Sequence, residues 1–583
     1  MTSAKKNEKT TTYGNPEKRM PARVRKCGSG QAFFYRIRRP GKLIGRKRDD
    51  AGQRRENHFI IYDGFFPVML QNMPNVLIRN VRILREGRLE NAEILIENGK
   101  FVRIAKSCEV SAVDRVIDGH QMAAIPAGID VHVHFRDPGA NYKEDWYSGS
   151  CSAACGGITT VLEQPNTVPA VTDRESFIIK RKLAERRSIV DYGINGGVFN
   201  NIDRLPELWK EGAVAFGEIF MGLSTGGLSV DQETLEKAFK VIAKLDATAT
   251  VHAEDDEIRL RNEELLKYDN DPDVHSRIRP NECEATAVKN CLDAYRKAGC
   301  RVHICHTSAP ESVALLEEER ARTKSDEYPL GKPRLTSEVT PHHLFLSTRD
   351  CARLGSYVKM NPPVRSPQSA EYMMKALTSG LVNVVASDHA PHRAYEKDVP
   401  VKKAPSGIPG VETLMPLMLQ AVRRNLISLE RVIETTSRNP ARIFDLERHG
   451  KGMLAVGYDA DLILFDPKNV TKIRADRLHT KCEWTPFEGM EAVFPAMTFS
   501  RGELIQQDGE IVVSRGRGRF LTGAGYDVRA KNSIVSSDEN DDTVEDPKRG
   551  TLPDEEDEDE TIDDIFDGEE YDMTKRDSER RKA

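Results

Sequence analysis

The sequence predicts an α/β protein: a (β/α)₈ TIM barrel, a small discontinuous β-sandwich domain formed by the segments on either side of it, and disordered N- and C-terminal tails. Two observations carry this prediction. Eight apolar, strand-like runs alternate with helix-compatible segments through the middle of the chain. Shorter alternating strands with turn sequences lie before and after that region, which favours one β-domain built from both flanks.

Composition limits the class of protein. The chain has 583 residues, of which 39% are apolar and 30% charged, and its net charge is −5. Lys and Arg dominate residues 1–60, whereas Asp and Glu dominate residues 538–583. No run of eighteen apolar residues occurs and no signal peptide is visible, so we expect a cytoplasmic protein without a membrane span. The ten Cys are scattered without a CxxC pair, which favours reduced thiols.

Changes in composition and strand pattern divide the chain into five segments. The basic start lacks a strand or helix period. Because a strand-like run opens at Met73, we consider Met69 and Met73 as candidate native starts. Its charge suits nucleic acid, but no binding motif accompanies it, so we expect no nucleic-acid partner. The acidic end is too polar to bury a core. The predicted segments are a disordered basic extension (1–72), an N-terminal portion of the β-domain (73–125), the barrel (126–440), a C-terminal portion of the β-domain (441–524) and a disordered acidic tail (525–583).

Polar residues end most of the strand-like runs of the predicted barrel. His132 and His134 end the first run, and residues two apart on a strand share a face, so both imidazoles can reach one metal ion. His252 and His306 end two further runs, and Asp388 ends the eighth. Because the carboxyl ends of barrel strands converge, these residues predict a metal centre rather than scattered structural histidines. The runs are 123–135, 159–166, 190–198, 213–222, 247–254, 301–308, 334–343 and 382–391.

The order HxH, His, His and Asp resembles the amidohydrolase superfamily. The sequences HVHFRDPG, EQPNT, TPHHLFLS, KMNPPVR and SDHAPH resemble the dihydroorotase family within it. The resemblance covers about residues 73–524 and neither tail. It implies reversible closure of N-carbamoyl-L-aspartate to L-dihydroorotate, a step of pyrimidine synthesis.

The resemblance also implies roles for individual residues. One or two zinc ions would be held by four histidines and by Asp388, which would also shuttle the proton. Arg136 and Asn166 would hold the substrate carboxylate, which suits the planar fork of an arginine. The implied metal ligands are His132, His134, His252, His306 and Asp388; the implied substrate contacts are Arg136, Asn166, Asn361 and His392; Ser224 and Thr225 fall where the family has a mobile loop.

Glu218 marks a departure from the family pattern. Many dihydroorotases bridge two metals with a carboxylated lysine on the fourth strand, where this chain has Glu218. Both groups carry one negative charge and oxygen donors, but Glu is shorter. Either the strand lies closer to the metals, or Glu218 binds one metal and the site is mononuclear. We take Glu218 as a ligand; the alternative is a strand-end carboxylate paired with Lys or Arg.

Other interpretations stay open. A hydantoinase or allantoinase shares the barrel and the ligands, although Arg136 with the PNT sequence favours a substrate that bears a carboxylate. A non-catalytic scaffold relative typically loses metal ligands, which this chain retains. Relatives form homo-oligomers, and some associate with aspartate transcarbamoylase, so we expect both here. Of the other histidines, His303 and His389 are expected to face away from the metal, His342 and His343 to orient neighbours, and His58, His275, His449 and His479 have no supporting context.

Overall fold

The computed structural model describes residues 74–110, 113–222, 228–323 and 333–526. The predicted basic extension, nearly all of the predicted acidic tail, and Ser224 and Thr225 lie outside the described residues. Within the described ranges, no helix is both long enough and apolar enough to cross a membrane. All nine cysteines described there are buried free thiols.

The described chain contains nineteen β-strands and fifteen α-helices. The strands are β1 (Val76–Arg85), β2 (Arg88–Glu97), β3 (Lys100–Ala105), β4 (Arg115–Asp118), β5 (Ala123–Pro126), β6 (Gly128–Val133), β7 (Ile158–Glu163), β8 (Asp191–Ile194), β9 (Phe216–Phe220), β10 (Thr248–His252), β11 (Arg301–Ile304), β12 (Leu335–Val339), β13 (Val384–Val385), β14 (Leu462–Phe465), β15 (Thr471–Lys472), β16 (Glu491–Ala492), β17 (Met497–Ser500), β18 (Glu503–Gln507) and β19 (Glu510–Ile511). The helices are α1 (Trp146–Cys155), α2 (Arg174–Arg187), α3 (Leu205–Glu211), α4 (Gln232–Lys244), α5 (Asp256–Leu265), α6 (Val274–Ile278), α7 (Asn281–Ala298), α8 (Pro310–Arg322), α9 (Pro341–Phe345), α10 (Cys351–Leu354), α11 (Pro367–Ser379), α12 (Ala394–Lys397), α13 (Val411–Arg423), α14 (Leu429–Ile433) and α15 (Asn439–Ile443).

Strands β6 to β13 form the predicted eight-stranded parallel barrel. Three of them pair in the order β6-β7-β8 and five in the order β9 to β13. Two parallel bridges close the ring, one between Gly196 and Phe216 and the other between Val133 and His389. Each of the eight apolar runs overlaps one barrel strand, which confirms the predicted fold class.

The two flanks of the barrel join in one nine-stranded sheet. Its order is β19-β18-β17-β14-β5-β1-β2-β3, with β4 beside β1. The N-terminal and C-terminal halves of the sheet pair through β14, which lies antiparallel to β5 and aligns Ile463 with Ile125. This pairing confirms the β-domain formed by both flanks. The short strand β4 was not apparent from the sequence pattern.

Strand alternation decides how the sheet meets the barrel. Leu462 and Leu464 point into the core of the nine-stranded sheet, where they pack with residues from both of its halves. Ile463 and Phe465 point the other way and belong to the core of the barrel. Because successive side chains of a strand face opposite sides, β14 serves both cores at once.

The barrel helices begin where the sequence provides a cap. Asp145 and Asp173 each accept a hydrogen bond from a backbone N–H three residues later, and Ser148 and Ser176 complete the reciprocal capping boxes. Such a cap satisfies amide groups that have no partner within the helix. In α4, Leu235, Ala238, Phe239 and Ile242 form the buried stripe at helical spacing. The helices therefore start and orient as their local sequences dictate.

Candidate metal centre

Six predicted ligands converge at the carboxyl end of the barrel. They come from β6, β9 and β10 and from the first three residues after β6, β11 and β13. None is more than 6% exposed. The six are His132, His134, Glu218, His252, His306 and Asp388.

Glu218 lies between two pairs of histidines. Its Oε2 is 3.4 Å from His132 Nε2 and 3.8 Å from His134 Nε2. Its Oε1 is 3.1 Å from His252 Nδ1 and 2.7 Å from His306 Nε2. Each pair of imidazoles forms, with Glu218, a trio whose donor atoms lie within 4.8 Å of one another. One carboxylate thus presents an oxygen to each of two candidate metal positions.

Asp388 adds a further carboxylate to the first of these positions. Its Oδ1 is 3.1 Å from His134 Nε2 and 3.6 Å from His132 Nε2. His132 Nε2 is fully buried and has no hydrogen-bond partner among the described residues. A buried nitrogen without a partner is costly unless it binds something else. Imidazole nitrogens with carboxylate oxygens are a donor set that suits zinc, so the residues present fit a metal ion.

Glu338, on β12, supports the centre by contacting His132 at the ring nitrogen that faces away from Glu218. The sequence analysis missed this residue. One of its oxygens is 2.6 Å from His132 Nδ1 and accepts a hydrogen bond from the backbone N–H of His306. Its other oxygen is 3.0 Å from His303 Nε2. Partners of this kind set the ring orientation and the basicity of a ligating imidazole. The sequence offers only a glutamate next to the last residue of the strand LTSEV, and its role becomes interpretable only once its partner is known.

Glu254 supports the second pair of histidines in the same way. Its Oε2 is 3.1 Å from His252 Nε2 and also pairs with Arg279. Although burial lowers the pKa of His252, hydrogen bonds to Glu218 and Glu254 raise it to about 9. Although burial raises the pKa of Glu218, the charge of His132 and hydrogen bonds with His252 and His306 hold it well below its usual value. The carboxylates of the centre are therefore ionised at neutral pH.

Three residues near the carboxyl end of the barrel have a positive φ angle although they are not glycine. Arg136, His306 and Asp388 have φ angles of 63°, 31° and 47°. Residues other than glycine rarely adopt positive φ, and such residues cluster at functional sites. All three follow the end of a barrel strand, where the turn of the chain aims the side chain over the barrel mouth.

A cavity beside the metal ligands holds three of the four predicted substrate contacts. Arg136, Asn166 and Asn361 line it together with Phe220 and Ser406. The buried Nε of Arg136 has no hydrogen-bond partner among the described residues. Asn166 Oδ1 lies 2.8 Å from His134 Nδ1, so this amide is oriented by a candidate metal ligand.

His392 and Asn361 are each held by a second residue. His392 does not line the cavity: it lies behind Ser406, with Nε2 3.1 Å from the Ser406 carbonyl oxygen and Nδ1 3.1 Å from Lys143 Nζ. Asn361 Oδ1 is 3.0 Å from His275 Nε2. His275 was without context in the sequence because its partner lies 86 residues away.

The remaining histidines occupy supporting positions. His389 bonds Glu144, and His303 bonds Glu338, a contact that the sequence analysis did not foresee. His343 Nε2 is 3.1 Å from the Pro362 carbonyl oxygen, beside the segment that carries Asn361. Burial lowers the pKa of both His342 and His343.

Histidine and carboxylate donors gathered at the carboxyl end of a closed parallel barrel define a metal-dependent hydrolase of the (β/α)₈ class. Residues 123–505 match the amidohydrolase family, and the chain belongs to that family.

Relatives of known activity lie within the same family. The dihydroorotase of Methanosarcina acetivorans is 54% identical over 78% of this chain and 96% of its own length. The dihydroorotase of Methanosarcina mazei is 53% identical over 78% of this chain and 99% of its own. The solved L-hydantoinase (dihydropyrimidinase) of Arthrobacter aurescens is 31% identical, with a TM-score of 0.73 over 77% of this chain and 100% of that one.

Proposed function

We propose that this protein is a dihydroorotase, which closes N-carbamoyl-L-aspartate to L-dihydroorotate reversibly. The observation that carries the substrate assignment is the buried Arg136 guanidinium, whose Nε lacks a partner among the described residues and which faces the cavity beside the metal ligands. Dihydroorotate and carbamoyl-aspartate both bear a carboxylate that this guanidinium can bind. The 54% identity to a dihydroorotase supports the same assignment.

Zinc is the proposed metal, held by His132 and His134 on one side of Glu218 and by His252 and His306 on the other. When bound, such an ion polarises a carbonyl and lowers the pKa of water to about 7. We propose that Glu218 takes the bridging role that a carboxylated lysine has in many dihydroorotases. The support is that its two oxygens face different histidine pairs.

Asp388 is the proposed proton carrier. Although burial raises the pKa of Asp388, its hydrogen bond with His134 and the nearby imidazoles lower it to about 2, so the group starts as a carboxylate. In the hydrolytic direction it accepts a proton from the attacking water and gives it to the departing amide nitrogen. In the closing direction the same carboxylate takes the proton from the carbamoyl nitrogen as the C–N bond forms and gives it to the oxygen that departs as water, as reversibility requires.

Residues near Asp388 are proposed to orient the substrate. Arg136 offers two parallel N–H donors to the substrate carboxylate. Because Asn166 Oδ1 faces His134 Nδ1, the amide nitrogen of Asn166 is the group oriented to donate to the substrate. His392 is proposed to act through the Ser406 segment, because its Nε2 bonds the Ser406 carbonyl.

The decisive experiment measures zinc per chain and dihydroorotate turnover for the wild type and for Glu218→Ala, with the exposed Glu264→Ala as control. Two zinc ions with activity, both lost in Glu218→Ala alone, support the bridging role. One zinc with activity that Glu218→Ala leaves intact makes the site mononuclear and Glu218 structural. Hydantoin and allantoin are assayed alongside, and dominant turnover of either overturns the substrate assignment.

The same preparation tests the alternatives. A protein that folds, binds no zinc and turns over none of the three amides is a scaffold. Homo-oligomerisation and association with aspartate transcarbamoylase stay predictions, as do a cytoplasmic location, the absence of a nucleic-acid partner and a loop function for Ser224 and Thr225. Light scattering of the protein with and without aspartate transcarbamoylase tests the first two.

A further inference from the structure

A second cluster of metal-binding side chains lies outside the centre described above. Cys155 ends α1, Glu412 lies in the first turn of α13, and His479 lies in the segment before β16. Their donor atoms lie within 4.8 Å of one another. Cys155 and Glu412 are buried, and His479 is partly exposed.

The imidazole of His479 is fixed so that Nε2 faces the thiol. Glu412 Oε1 is 2.9 Å from His479 Nδ1, and Glu412 Oε2 accepts the backbone N–H of His479 at 2.8 Å. His479 Nε2 lies 3.6 Å from Cys155 Sγ. A carboxylate behind the far nitrogen of a histidine is the usual support of a metal-ligating imidazole.

A carbonyl oxygen completes a triangular face. Gly509, in the turn between β18 and β19, places its oxygen 3.6 Å from Cys155 Sγ and also contacts the His479 imidazole. Tetrahedral zinc with a Zn–S bond of about 2.3 Å and a Zn–N bond of about 2.0 Å separates the two ligand atoms by about 3.5 Å. The Sγ–Nε2 separation observed here has that length before any side chain moves.

The cluster opens on a cavity of about 620 Å³ between the barrel and the nine-stranded sheet. Gln506 lines this cavity, is fully buried, and its Nε2 has no hydrogen-bond partner among the described residues. A donor in this position suits an anion or water that fills the open coordination position of a metal. It is an observation independent of the Cys155 cluster.

We propose that Cys155, His479 and the Gly509 carbonyl form a second site for a thiophilic divalent cation of the zinc class, with Glu412 orienting the imidazole. Coordination deprotonates the thiol, and the released proton goes to solvent. The site joins α1 and α13 of the barrel to the β18–β19 turn of the sheet. It is separate from the proposed catalytic centre and does not depend on the proposed reaction.

Cobalt titration of the chelator-treated full chain tests this site, because a thiolate–Co²⁺ pair has a near-ultraviolet charge-transfer band that histidine and carboxylate ligands lack. We expect the band in the wild type and in Cys151→Ser, a matched control one helical turn away in α1. Cys155→Ser should lack the band, bind one equivalent less cobalt and zinc, and keep the wild-type turnover.

Two results overturn the proposal: a wild type without the band, or a Cys155→Ser variant that keeps both the band and the full equivalent. If Cys155→Ser fails to fold, zinc X-ray absorption on the wild type decides. A sulfur neighbour at about 2.3 Å supports the site, and a shell of nitrogen and oxygen alone rejects it.

Discussion

Each end of the barrel holds a buried cluster of carboxylates, and the two clusters differ in what faces the negative charge. At the amino end, Lys451 Nζ lies 2.6 Å from Asp191, 2.6 Å from Asp461 and 3.2 Å from Asp459. At the carboxyl end, Glu218 and Asp388 face imidazoles instead. An ammonium group pairs with carboxylates but has no lone pair for a metal ion, whereas an imidazole that loses its proton can bind one.

This difference shows why close carboxylates alone do not indicate a metal. Asp191, Asp459 and Asp461 satisfy the same distance requirement as the histidine trios. Lys451 already occupies the space between them, and a second cation there would meet its charge. The amino end therefore joins barrel and sheet, since Asp191 belongs to β8 while Asp461 directly precedes β14. At the carboxyl end, the carboxylates face imidazoles and are available to bind a metal ion.

The largest expected effect is that of Asp388→Asn on turnover. Without a carboxylate to accept and return the proton, turnover should fall by about 10²–10⁴-fold, the usual contribution of a general acid–base group. Asp461→Asn at the other end of the barrel should lower the melting temperature and leave turnover per folded molecule unchanged. Steady-state kinetics with dihydroorotate measures both. Equal losses of turnover in the two variants would contradict the division of roles.

Lys451→Met is expected to destabilise the fold by about 3–5 kcal/mol, because it removes the fully buried ammonium group that contacts all three carboxylates. The matched control is Lys100→Met, which removes a half-exposed lysine that lies 3.0 Å from Asp459 in the same cluster. An exposed pair of this kind contributes at most about 1 kcal/mol. Urea denaturation gives both values. A small loss for Lys451→Met would show that the aspartates are neutralised by protonation or by other cations.

The barrel and most of the candidate site follow from local sequence, and the supporting layer does not. Apolar runs that end in His or Asp predict both the strand and the side of the barrel on which its last residue lies. Glu338 and Glu254 carry no such signal, because a glutamate in or after a strand is interpretable only when its partner is known. His132 lies 206 residues from Glu338, and no local pattern connects them.

The amino-end cluster was missed for the same reason. Lys451 follows a glycine in a polar segment and resembles a surface residue in the sequence. Its burial results from the pairing of β14 with β5, which brings Asp461 and the barrel together. Long-range sheet pairing thus decides which charged residues become buried, and composition alone does not indicate it.

Arg136→Met should lower kcat/KM for dihydroorotate by about 10–150-fold, the equivalent of losing a charge-assisted hydrogen bond of about 1.5–3 kcal/mol. Arg136→Lys should lose much of this as well, because an ammonium group lacks the planar fork. The control is hydantoin, which has no carboxylate. If both variants slow any hydantoin turnover as much as dihydroorotate turnover, Arg136 shapes the site rather than binding the carboxylate.

The smallest expected effect is on the pH dependence of stability, in which His275 and the amino-end Asp459 act in different ranges. Burial, with the charges of Arg279 and Lys359, lowers the pKa of His275 to about 3, whereas an unfolded histidine has a pKa of about 6.5. Between these values the unfolded chain binds a proton that the folded chain does not, so stability falls as the pH drops below about 6.5. At the amino end, although burial raises the pKa of Asp459, Lys451 and Arg519 hold it below its usual value. Stability from that carboxylate is present above its unfolded pKa of about 3.9 and is lost only as the pH falls further.

Loss of stability between about pH 6.5 and 4 therefore reports on buried histidines rather than on Asp459. Burial lowers the pKa of His449 near the amino end as it does that of His275 and His392 near the carboxyl end, so a variant is needed to isolate the share of His275. His275→Gln keeps an N–H donor for Asn361 and cannot titrate, so its stability should fall less steeply than that of the wild type, by about 1.4 kcal/mol per pH unit. Lys451→Met should shift the whole curve downward and change its slope in this range less than His275→Gln does, because Lys451 is only a minor cause of the lowered pKa of His449. Urea denaturation at a series of pH values measures these slopes. A slope for His275→Gln equal to that of the wild type would mean that the folded protein protonates His275, which would then be accessible at the mouth of the barrel rather than buried beneath Asn361.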